Sequence, residues 1–283
     1  MESVFGSIQN ASKIVIDLLR NKLDTEENGE YSEIVNSSGD LVHKVDDKAN
    51  EIIKKILLEN SNIYAIASEE EPDIIFNNID GGNYFVVFDP LDGSQNIDPC
   101  LAVGSIFGIF KVNKESDINL VPTRDMVGAA YSLYGPTPII VQADETGVKE
   151  YCFNSSGVKL VKTLEKPTKQ KFYCANEANS LKWDDNTKEY FVSLKERKLG
   201  LRWAGCMVSD VHRIVKQGGV FAYPIDKVST SGKLRVLYEC LPMGYIVNRL
   251  GGKGWNHEYE NILEMNFDVM GNIHQKMGIF YEV

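Results

Sequence analysis

Two aspartates stand three residues apart in the segment FDPLDGSQNID, residues 88–98, which follows the apolar run YFVV. Hard cations such as Mg²⁺ prefer oxygen ligands, and their sites combine a few carboxylates with water and substrate phosphate. We expect Asp89 to end a strand and the intervening Pro-Leu to turn the chain, so that Asp92 faces back toward it. Gly93 and Ser94 would then offer backbone N–H groups and a hydroxyl to a phosphate. For this segment alone a plain β-turn is the simpler interpretation, because Asp and Gly are common turn residues.

Further carboxylates each have two interpretations. Glu69 and Glu70 follow the strand-like IYAIA, while Asp46 and Glu51 belong to the run HKVDDKANE, where a helix is predicted to begin. A solvated face, or a helix start favoured by the macrodipole, explains each of these four taken singly. Glu239 lies in VLYECLPM, among residues of buried type, where an unpaired carboxylate would be costly. The outer face of an amphipathic helix is the alternative for Glu239.

Basic and aromatic residues away from these carboxylates are also open to two interpretations. Lys233 is predicted to begin a helix and to face solvent or a ligand, and Tyr223 to belong to the core or to a site. Arg235 is interpreted as the partner of a carboxylate. Arg202 lies in the strand-like, apolar GLRWAG, where a charge needs a partner, and this favours a functional role.

Composition and charge narrow the class of protein. The chain has 283 residues, 43% of them apolar, and a net charge of −10, which predicts a globular protein and disfavours nucleic acid or an anionic membrane as a partner. No run of 18 apolar residues is present, and the first twenty residues lack the features of a signal peptide. Five scattered cysteines indicate reduced thiols. We therefore expect a cytoplasmic protein, and an anionic substrate would need bound metal or positioned basic side chains.

The pattern of apolar residues predicts an α/β chain in two parts, 1–165 and 166–283. Apolar spacing predicts a first helix from Val4 to Leu18 and a second from near Asp46. The polar stretch 24–40 is expected to form a loop. Strand-like runs follow: YFVVF, SIFGIF, AAYSLY, PIIVQA, VKEYCF and, after residue 166, FYCAN. Helices are predicted over 186–197, 210–217 and 233–250, the last kinked at Pro242. The cluster Gly251-Gly252-x-Gly254 is predicted to cap that helix.

Several motifs in order resemble the fructose-1,6-bisphosphatase family, with the sedoheptulose-1,7-bisphosphatases closely related. They are FDPLDGSQNID, SIFGIF, NEAN, RWAGCMVSDVHR, FAYP and GKLRVLYECLPM. The resemblance runs from about residue 8 to the carboxyl terminus, whereas DPLDGS alone would indicate only a wider superfamily of metal-dependent sugar and inositol phosphatases. It implies a layered α/β sugar-phosphatase fold with two mixed β-sheets sandwiched by helices.

The resemblance also implies roles for individual residues. The metal ligands would be Glu69, Glu70, Asp89, Asp92 and Glu239, with the backbone carbonyl of Leu91. Asp46, Glu51 and Glu69 would help to activate water, although the family usually has Asp at the second of these positions. The substrate would be held by Asp92, Gly93, Ser94, Asn176, Tyr223 and Lys233, with Arg202 reaching the distal phosphate from a neighbouring subunit. The implied cofactor is Mg²⁺, with Mn²⁺ as the alternative, and the implied assembly is a homodimer or homotetramer.

Three functions stay open at this point. The first is Mg²⁺-dependent hydrolysis of the C1 phosphate of fructose 1,6-bisphosphate. The second keeps that chemistry for sedoheptulose 1,7-bisphosphate, because Asn179 and Trp203 replace tyrosines that the family commonly uses at the distal phosphate. The third is a catalytically silent protein that binds a metabolite. Asn83 and Lys111 stand where AMP-inhibited members have lysine and arginine, so we expect no strong AMP inhibition.

Overall fold

A computed structural model describes residues 1–20, 31–35, 41–79, 81–112, 125–267 and 271–283. The helices in these ranges are α1 (Glu2–Arg20), α2 (Lys44–Leu58), α3 (Asp185–Glu196), α4 (Met207–Gln217) and α5 (Leu241–Arg249). The first four confirm predicted helices, and α4 begins three residues earlier than predicted. The amphipathic stripe of α1 is confirmed in Val4, Ile8, Ala11 and Val15, while Ile14, which the spacing also placed there, is exposed.

An eight-stranded sheet forms the first half of the chain, with the order β10-β9-β8-β7-β6-β5-β3-β4. Its strands are β3 (Ile63–Ser68), β4 (Ile75–Phe76), β5 (Tyr84–Asp92), β6 (Val103–Lys111), β7 (Met126–Tyr134), β8 (Ile139–Asp144), β9 (Gly147–Asn154) and β10 (Gly157–Leu164); a separate pair joins β1 (Tyr31–Val35) to β2 (Leu41–His43). The sheet is mixed, because β3 and β5 are parallel and its other pairs antiparallel. All five strand-like runs predicted here lie in β5 to β9.

A five-stranded sheet forms the second half, with the order β12-β11-β13-β17-β15. Its strands are β11 (Phe172–Cys174), β12 (Gly200–Arg202), β13 (Gly219–Tyr223), β15 (Lys253–Trp255) and β17 (Ile279–Glu282), and β14 (Leu234–Arg235) pairs separately with β16 (Lys276–Met277). Parallel pairing around β11 and antiparallel pairing around β17 make this sheet mixed as well.

The two sheets alternate with three layers of helix. Alternate residues of the eight-stranded sheet face opposite cores: Val86 and Phe88 pack with α1 and α2, whereas Phe85 and Val87 pack in the core that contains α4 and α5. The outer face of the five-stranded sheet packs against Phe191 and Leu194 of α3. This alternation follows from the two-residue period of a strand that is buried on both faces. The predicted fold of two mixed sheets sandwiched by helices is confirmed.

Two of the sequence-based predictions are wrong in detail. Residues 233–250 do not form one helix kinked at Pro242: β14 comes first, a π-helical turn follows at Val236–Cys240, and Pro242 lies in the first turn of α5, where a missing N–H is tolerated. The predicted loop 24–40 contains strand β1; residues 21–30 and 36–40 lie outside the described residues. The cap after α5 is confirmed, because Gly251 has a φ of 84° and donates its N–H to the carbonyl of Asn248.

Among the described residues, none of the helices combines the length and apolar character that crossing a lipid bilayer requires.

Candidate active site

A β-bulge at the end of β5 brings the two aspartates of the DPLD segment together. Asp89 pairs with Ile106 of β6 and Asp92 pairs with Gly104, so one extra residue lies on β5 between them. An extra residue bends a strand and redirects its side chains. The bulge is held locally, because the N–H of Leu91 donates to Asp89 Oδ1 at 2.9 Å and Ser105 Oγ donates to the carbonyl of Pro90 at 2.6 Å.

Glu239 joins the two aspartates from the second half of the chain. One carboxylate oxygen of each of Asp89, Asp92 and Glu239 lies within 4.8 Å of the others, and their exposed fractions are 6%, 8% and 7%. Glu239 stands in the π-helical turn, and its Oε2 accepts the N–H of Arg235 at 2.5 Å. The carboxylate group defined by these three residues therefore brings β5 and the π-helical turn before α5 together at one buried point.

The three buried negative charges of this carboxylate group favour a bound cation. Burial raises the pKa of Asp89 well above its usual value, and the charges of Glu69, Asp92, Glu239 and Asp46 raise it further. Burial, then Glu69 and Asp92, raise the pKa of Glu239 well above its usual value in the same way. Buried like charges are costly unless a positive charge lies among them. Three converging carboxylates are the donor set that a hard divalent cation prefers, so these residues fit the metal that the resemblance implies.

Asp92 has a second anchor at the amino terminus of α4. The N–H of Met207 donates to its Oδ1 at 3.1 Å, and the N–H of Val208 donates to its Oδ2 at 2.6 Å. The thiol of Cys206 is 3.0 Å from Oδ2. These donors oppose the effect of burial on the pKa of Asp92, which is nevertheless raised. The positive end of a helix favours a carboxylate at this place.

Glu69 lies beside the carboxylate group and pairs with Arg235. Arg235 is 1% exposed, and its Nε donates to Glu69 Oε1 at 3.1 Å. This ion pair confirms the interpretation of Arg235 as the partner of a carboxylate. Glu70 is half-buried and, like Glu69, is not a member of the three-carboxylate group.

The two predicted helix carboxylates differ in position. Asp46 is buried in the first turn of α2 and acts on the pKa of Asp89 after the larger effects of burial and nearer charges. The side chain of Glu51 is 71% exposed and forms an ion pair with Lys54. The structure therefore brings Asp46 toward the carboxylate group and leaves Glu51 at the surface.

A cavity of about 510 Å³ opens beside Asp92. Five of the predicted substrate-binding residues line it: Asp92, Gly93, Asn176, Tyr223 and Lys233. Gly93 has a φ of 76° and begins the 3-10 helix Ser94–Asn96, so Ser94 stands in its first position. Asn176 caps the 3-10 helix Glu177–Lys182 by accepting the N–H of Ala178 at 3.3 Å. Lys233 is exposed, and Tyr223 is half-buried.

Arg202, whose apolar neighbours in the chain suggested that its charge needs a partner, is exposed. It lies on the edge strand β12, and its guanidinium is 5.0 Å from the ring of Phe172 and donates to the carbonyl of Leu201. Its charge lies at the surface because, in the part of the chain that the structure describes, β12 is a three-residue strand at the edge of its sheet. Arg202 does not line the cavity among the described residues of its own chain.

Other residues line or support the cavity, and of these only Trp203 was singled out from the sequence. The side chain of Asn96 donates to the carbonyls of Ala102 and Ala204 at 3.1 and 3.0 Å, which ties the 3-10 helix after β5 to the loop before α4. Both carboxylate oxygens of the buried Asp210 accept the N–H of Ala204. Trp203 lines the cavity with its ring centroid 5.9 Å from that of Tyr223. The contact from Asn96 to Ala204 joins residues 108 apart in the chain, whereas those from Asn96 to Ala102 and from Ala204 to Asp210 each join residues six apart.

Solved structures place this arrangement in a known class. The chain is similar to the structure of Leishmania major fructose-1,6-bisphosphatase in holo form, with a TM-score of 0.91 and 33% identity over 99% of this chain and 90% of the other. The T-state structure from the same organism has a TM-score of 0.85 at 31% identity, over 99% and 89% of the two chains. The layered fold and the buried carboxylate group define a metal-dependent sugar phosphatase.

Sequence comparison narrows the class to one family. The family models described as "Fructose-1-6-bisphosphatase, N-terminal domain" and "Fructose-1-6-bisphosphatase, C-terminal domain" match residues 1–164 and 166–282. The class 1 enzyme of Idiomarina loihiensis is 38% identical over 86% of this chain and 78% of its own length. The chloroplastic enzyme of Oryza sativa is 36% identical over 99% and 74%. The chain therefore belongs to the fructose-1,6-bisphosphatase family.

Proposed function

We propose that this protein hydrolyses the C1 phosphate of fructose 1,6-bisphosphate and releases fructose 6-phosphate and inorganic phosphate, a step of carbohydrate metabolism. The observation that carries the proposal is the buried group of Asp89, Asp92 and Glu239 at the edge of a polar cavity with Lys233 in its wall. Membership of the family supports fructose 1,6-bisphosphate over sedoheptulose 1,7-bisphosphate, because the relatives and solved structures reported above are named for the fructose enzyme.

The proposed cofactor is Mg²⁺, with Mn²⁺ as a substitute. Asp89, Asp92 and Glu239 would hold it, joined by Glu69, Glu70 and the carbonyl of Leu91. When bound, the metal activates water and neutralises charge on the phosphoryl oxygens. The carboxylates would hold this cation at the site, and the cation is needed because an acidic protein would otherwise repel a polyanionic sugar ester.

The remaining residues of the site would bind and orient the substrate. Gly93 and Ser94 would hold the transferred phosphate with backbone N–H groups and a hydroxyl. Asn176, Tyr223 and Lys233 would hold the sugar and its distal phosphate at the other end of the cavity. We propose Asp46 as a group that accepts a proton from water, together with Glu69; Glu51 has the same proposed role, which from its exposed position would require the side chain to move.

The assembly and the compartment are part of the same proposal. Arg202 is exposed at the edge of the second sheet, which supports a homodimer or homotetramer in which Arg202 completes a neighbouring site. Residues 1–165 and 166–283 would act as two domains, the second contributing Glu239.

All five cysteines are free thiols, which supports a reducing compartment such as the cytosol. The mass in solution, measured by light scattering, tests the assembly.

Phosphate release from both bisphosphates, with and without Mg²⁺, tests the function. We expect release that requires Mg²⁺ and a higher kcat/KM for fructose 1,6-bisphosphate, since specificity is defined by that ratio. Loss of release in Asp92→Ala would exclude a catalytically silent metabolite-binding protein. A wild-type protein that releases no phosphate with either metal, or that prefers the seven-carbon sugar, would contradict the proposal.

A further inference from the structure

Cys206 precedes α4, and its thiol contacts the carboxylate of Asp92. The residue is 1% exposed, and its Sγ lies 3.0 Å from Asp92 Oδ2. The backbone of Gly93 packs closely against the other side of Cys206, because a Cβ added to Gly93 would come within 2.6 Å of Cys206 Cβ. The thiol is therefore held in place by backbone on one side and by a carboxylate on the other, and its single hydrogen has that carboxylate oxygen as its acceptor.

The donors around Asp92 are unequal on its two oxygens. Oδ2 accepts two hydrogen bonds, from the N–H of Val208 and from the thiol of Cys206, whereas Oδ1 accepts one, from the N–H of Met207. Each oxygen of a carboxylate has about two lone-pair sites. Oδ2 is therefore saturated by protein donors, and Oδ1 keeps one lone pair for another partner.

We propose that Cys206 is a positioning residue that makes Asp92 a ligand through Oδ1 alone. The proposal rests on the proposed function, because it concerns the divalent cation that the carboxylate group would hold. Without the thiol, each oxygen of Asp92 would accept one N–H and the two would be equivalent. Asp92 would then have a free lone pair on both oxygens and less restraint against rotation.

This difference predicts a change in metal selectivity. Mg²⁺ requires near-ideal octahedral geometry, whereas Ca²⁺ takes six to eight oxygens and accepts carboxylates in bidentate fashion. A carboxylate limited to one oxygen favours the smaller ion. Loss of the thiol would therefore weaken Mg²⁺ binding and spare Ca²⁺ binding, an outcome that a general loosening of the site would not produce.

The test compares three variants by titration calorimetry with Mg²⁺ and with Ca²⁺, in the absence of substrate. Cys206→Ala removes the donor, and Cys206→Ser restores a donor of similar size. Cys174→Ala is the matched control: Cys174 is also a fully buried thiol, but its Sγ lies 3.8 Å from a backbone carbonyl, that of Asp210. Thermal unfolding of each metal-free variant reports how much stability the substitution costs.

We expect Cys206→Ala to raise the Kd for Mg²⁺ about tenfold, within the range seen when a group that orients a metal ligand is removed. The Kd for Ca²⁺ should change little, so the ratio of the Ca²⁺ Kd to the Mg²⁺ Kd falls about tenfold, while Cys206→Ser and Cys174→Ala keep the wild-type ratio within about threefold. An unchanged ratio in Cys206→Ala, or an equal fall in Cys174→Ala, would overturn the inference. Wild-type protein that binds neither ion would instead contradict the proposed function.

Discussion

The two ends of the cavity differ in what they are made of and in how firmly they are held. At the carboxylate end, Asp89 and Asp92 stand on a bulged central strand and Glu239 on a π-helical turn, all of them buried. At the distal end, Asn176, Lys233 and Trp203 come from a short helix cap and two loops, and are half-buried or exposed. This difference supports the proposal that the residues for the chemistry lie in the core, whereas those for substrate selection lie near the surface.

The largest expected effect comes from the carboxylate end. Glu239→Gln keeps the shape of the side chain and an acceptor for the N–H of Arg235, but it removes one of the three charges. We expect kcat/KM for fructose 1,6-bisphosphate to fall about a thousandfold or more, since a bound metal supplies several kcal/mol of transition-state stabilisation.

Glu150→Gln is the control for that prediction. Glu150 is also buried, but it pairs with Lys216 outside the cavity. Steady-state assays at saturating Mg²⁺ should show near wild-type activity for this control. Equal losses in the two variants would mean that any buried charge matters and that the carboxylate group has no special role.

A smaller effect is expected at the distal end. Lys233→Ala removes a cation from the cavity wall, and we expect KM to rise about 10- to 100-fold with little change in kcat, because a hydrogen bond to a charged group contributes about 1.5–3 kcal/mol. Lys159→Ala, at an exposed lysine on the edge strand β10, should leave both constants unchanged. A fall in kcat with an unchanged KM in Lys233→Ala would place this lysine at the reacting end instead.

Trp203 should influence the preference between the two sugar bisphosphates more than the rate of phosphate hydrolysis. Its indole lies against Tyr223 in the cavity wall. Trp203→Tyr, which introduces the residue common in the family, should change the ratio of kcat/KM for the six- and seven-carbon bisphosphates by about two- to tenfold, the scale of small changes in a binding pocket. If the substitution lowers both values equally, Trp203 supports the fold of the cavity and does not discriminate between sugars.

The smallest expected effect is on the thermal stability of the metal-free protein. Burial, and then the charges of Glu69, Asp92 and Glu239, raise the pKa of Asp89, so the folded chain binds a proton there more tightly than the unfolded chain. This stabilisation is present at low pH and is lost as the pH rises through the raised pKa, which leaves the metal-free protein destabilised at neutral pH.

Asp89→Asn should therefore raise the Tm of the metal-free protein at pH 7.5 by about 2–4 °C, equivalent to about 1 kcal/mol for a chain of this size, and should abolish the rise in Tm that Mg²⁺ produces. The gain should shrink as the pH is lowered. A lower Tm for Asp89→Asn at every pH would show that the negative charge of Asp89 stabilises the fold.

Local patterns were sufficient to predict much of the fold and of the carboxylate end. Apolar spacing predicted α1 and α2, because such patterns depend on neighbours in the chain. The DPLD segment correctly predicted that Asp92 approaches Asp89, but the predicted strand end and turn at Asp89 are wrong: β5 continues to Asp92 and a bulge brings the two aspartates together. The short elements around Glu239 were not predicted, since a two-residue strand and a π-helical turn have no periodicity of their own. The sequence pattern there is equally compatible with one long helix.

The contacts that hold the site together could not be predicted from the sequence. Cys206 meets Asp92 across 114 residues, and Asn96 meets Ala204 across 108. Arg202 was expected to need a partner because its neighbours in the chain are apolar, but it is exposed because β12 lies at the edge of its sheet among the described residues. Pairings and edges of this kind are properties of the folded sheets, which no single segment determines.

Anomalous diffraction from crystals of this protein soaked in Mn²⁺ tests the central claim most directly. We expect an anomalous difference peak bounded by Asp89, Asp92 and Glu239, at least as strong as any other in the molecule, and we expect it to disappear in Glu239→Gln crystals. A map with no peak between these three carboxylates, or with Mn²⁺ bound only elsewhere on the surface, would contradict it.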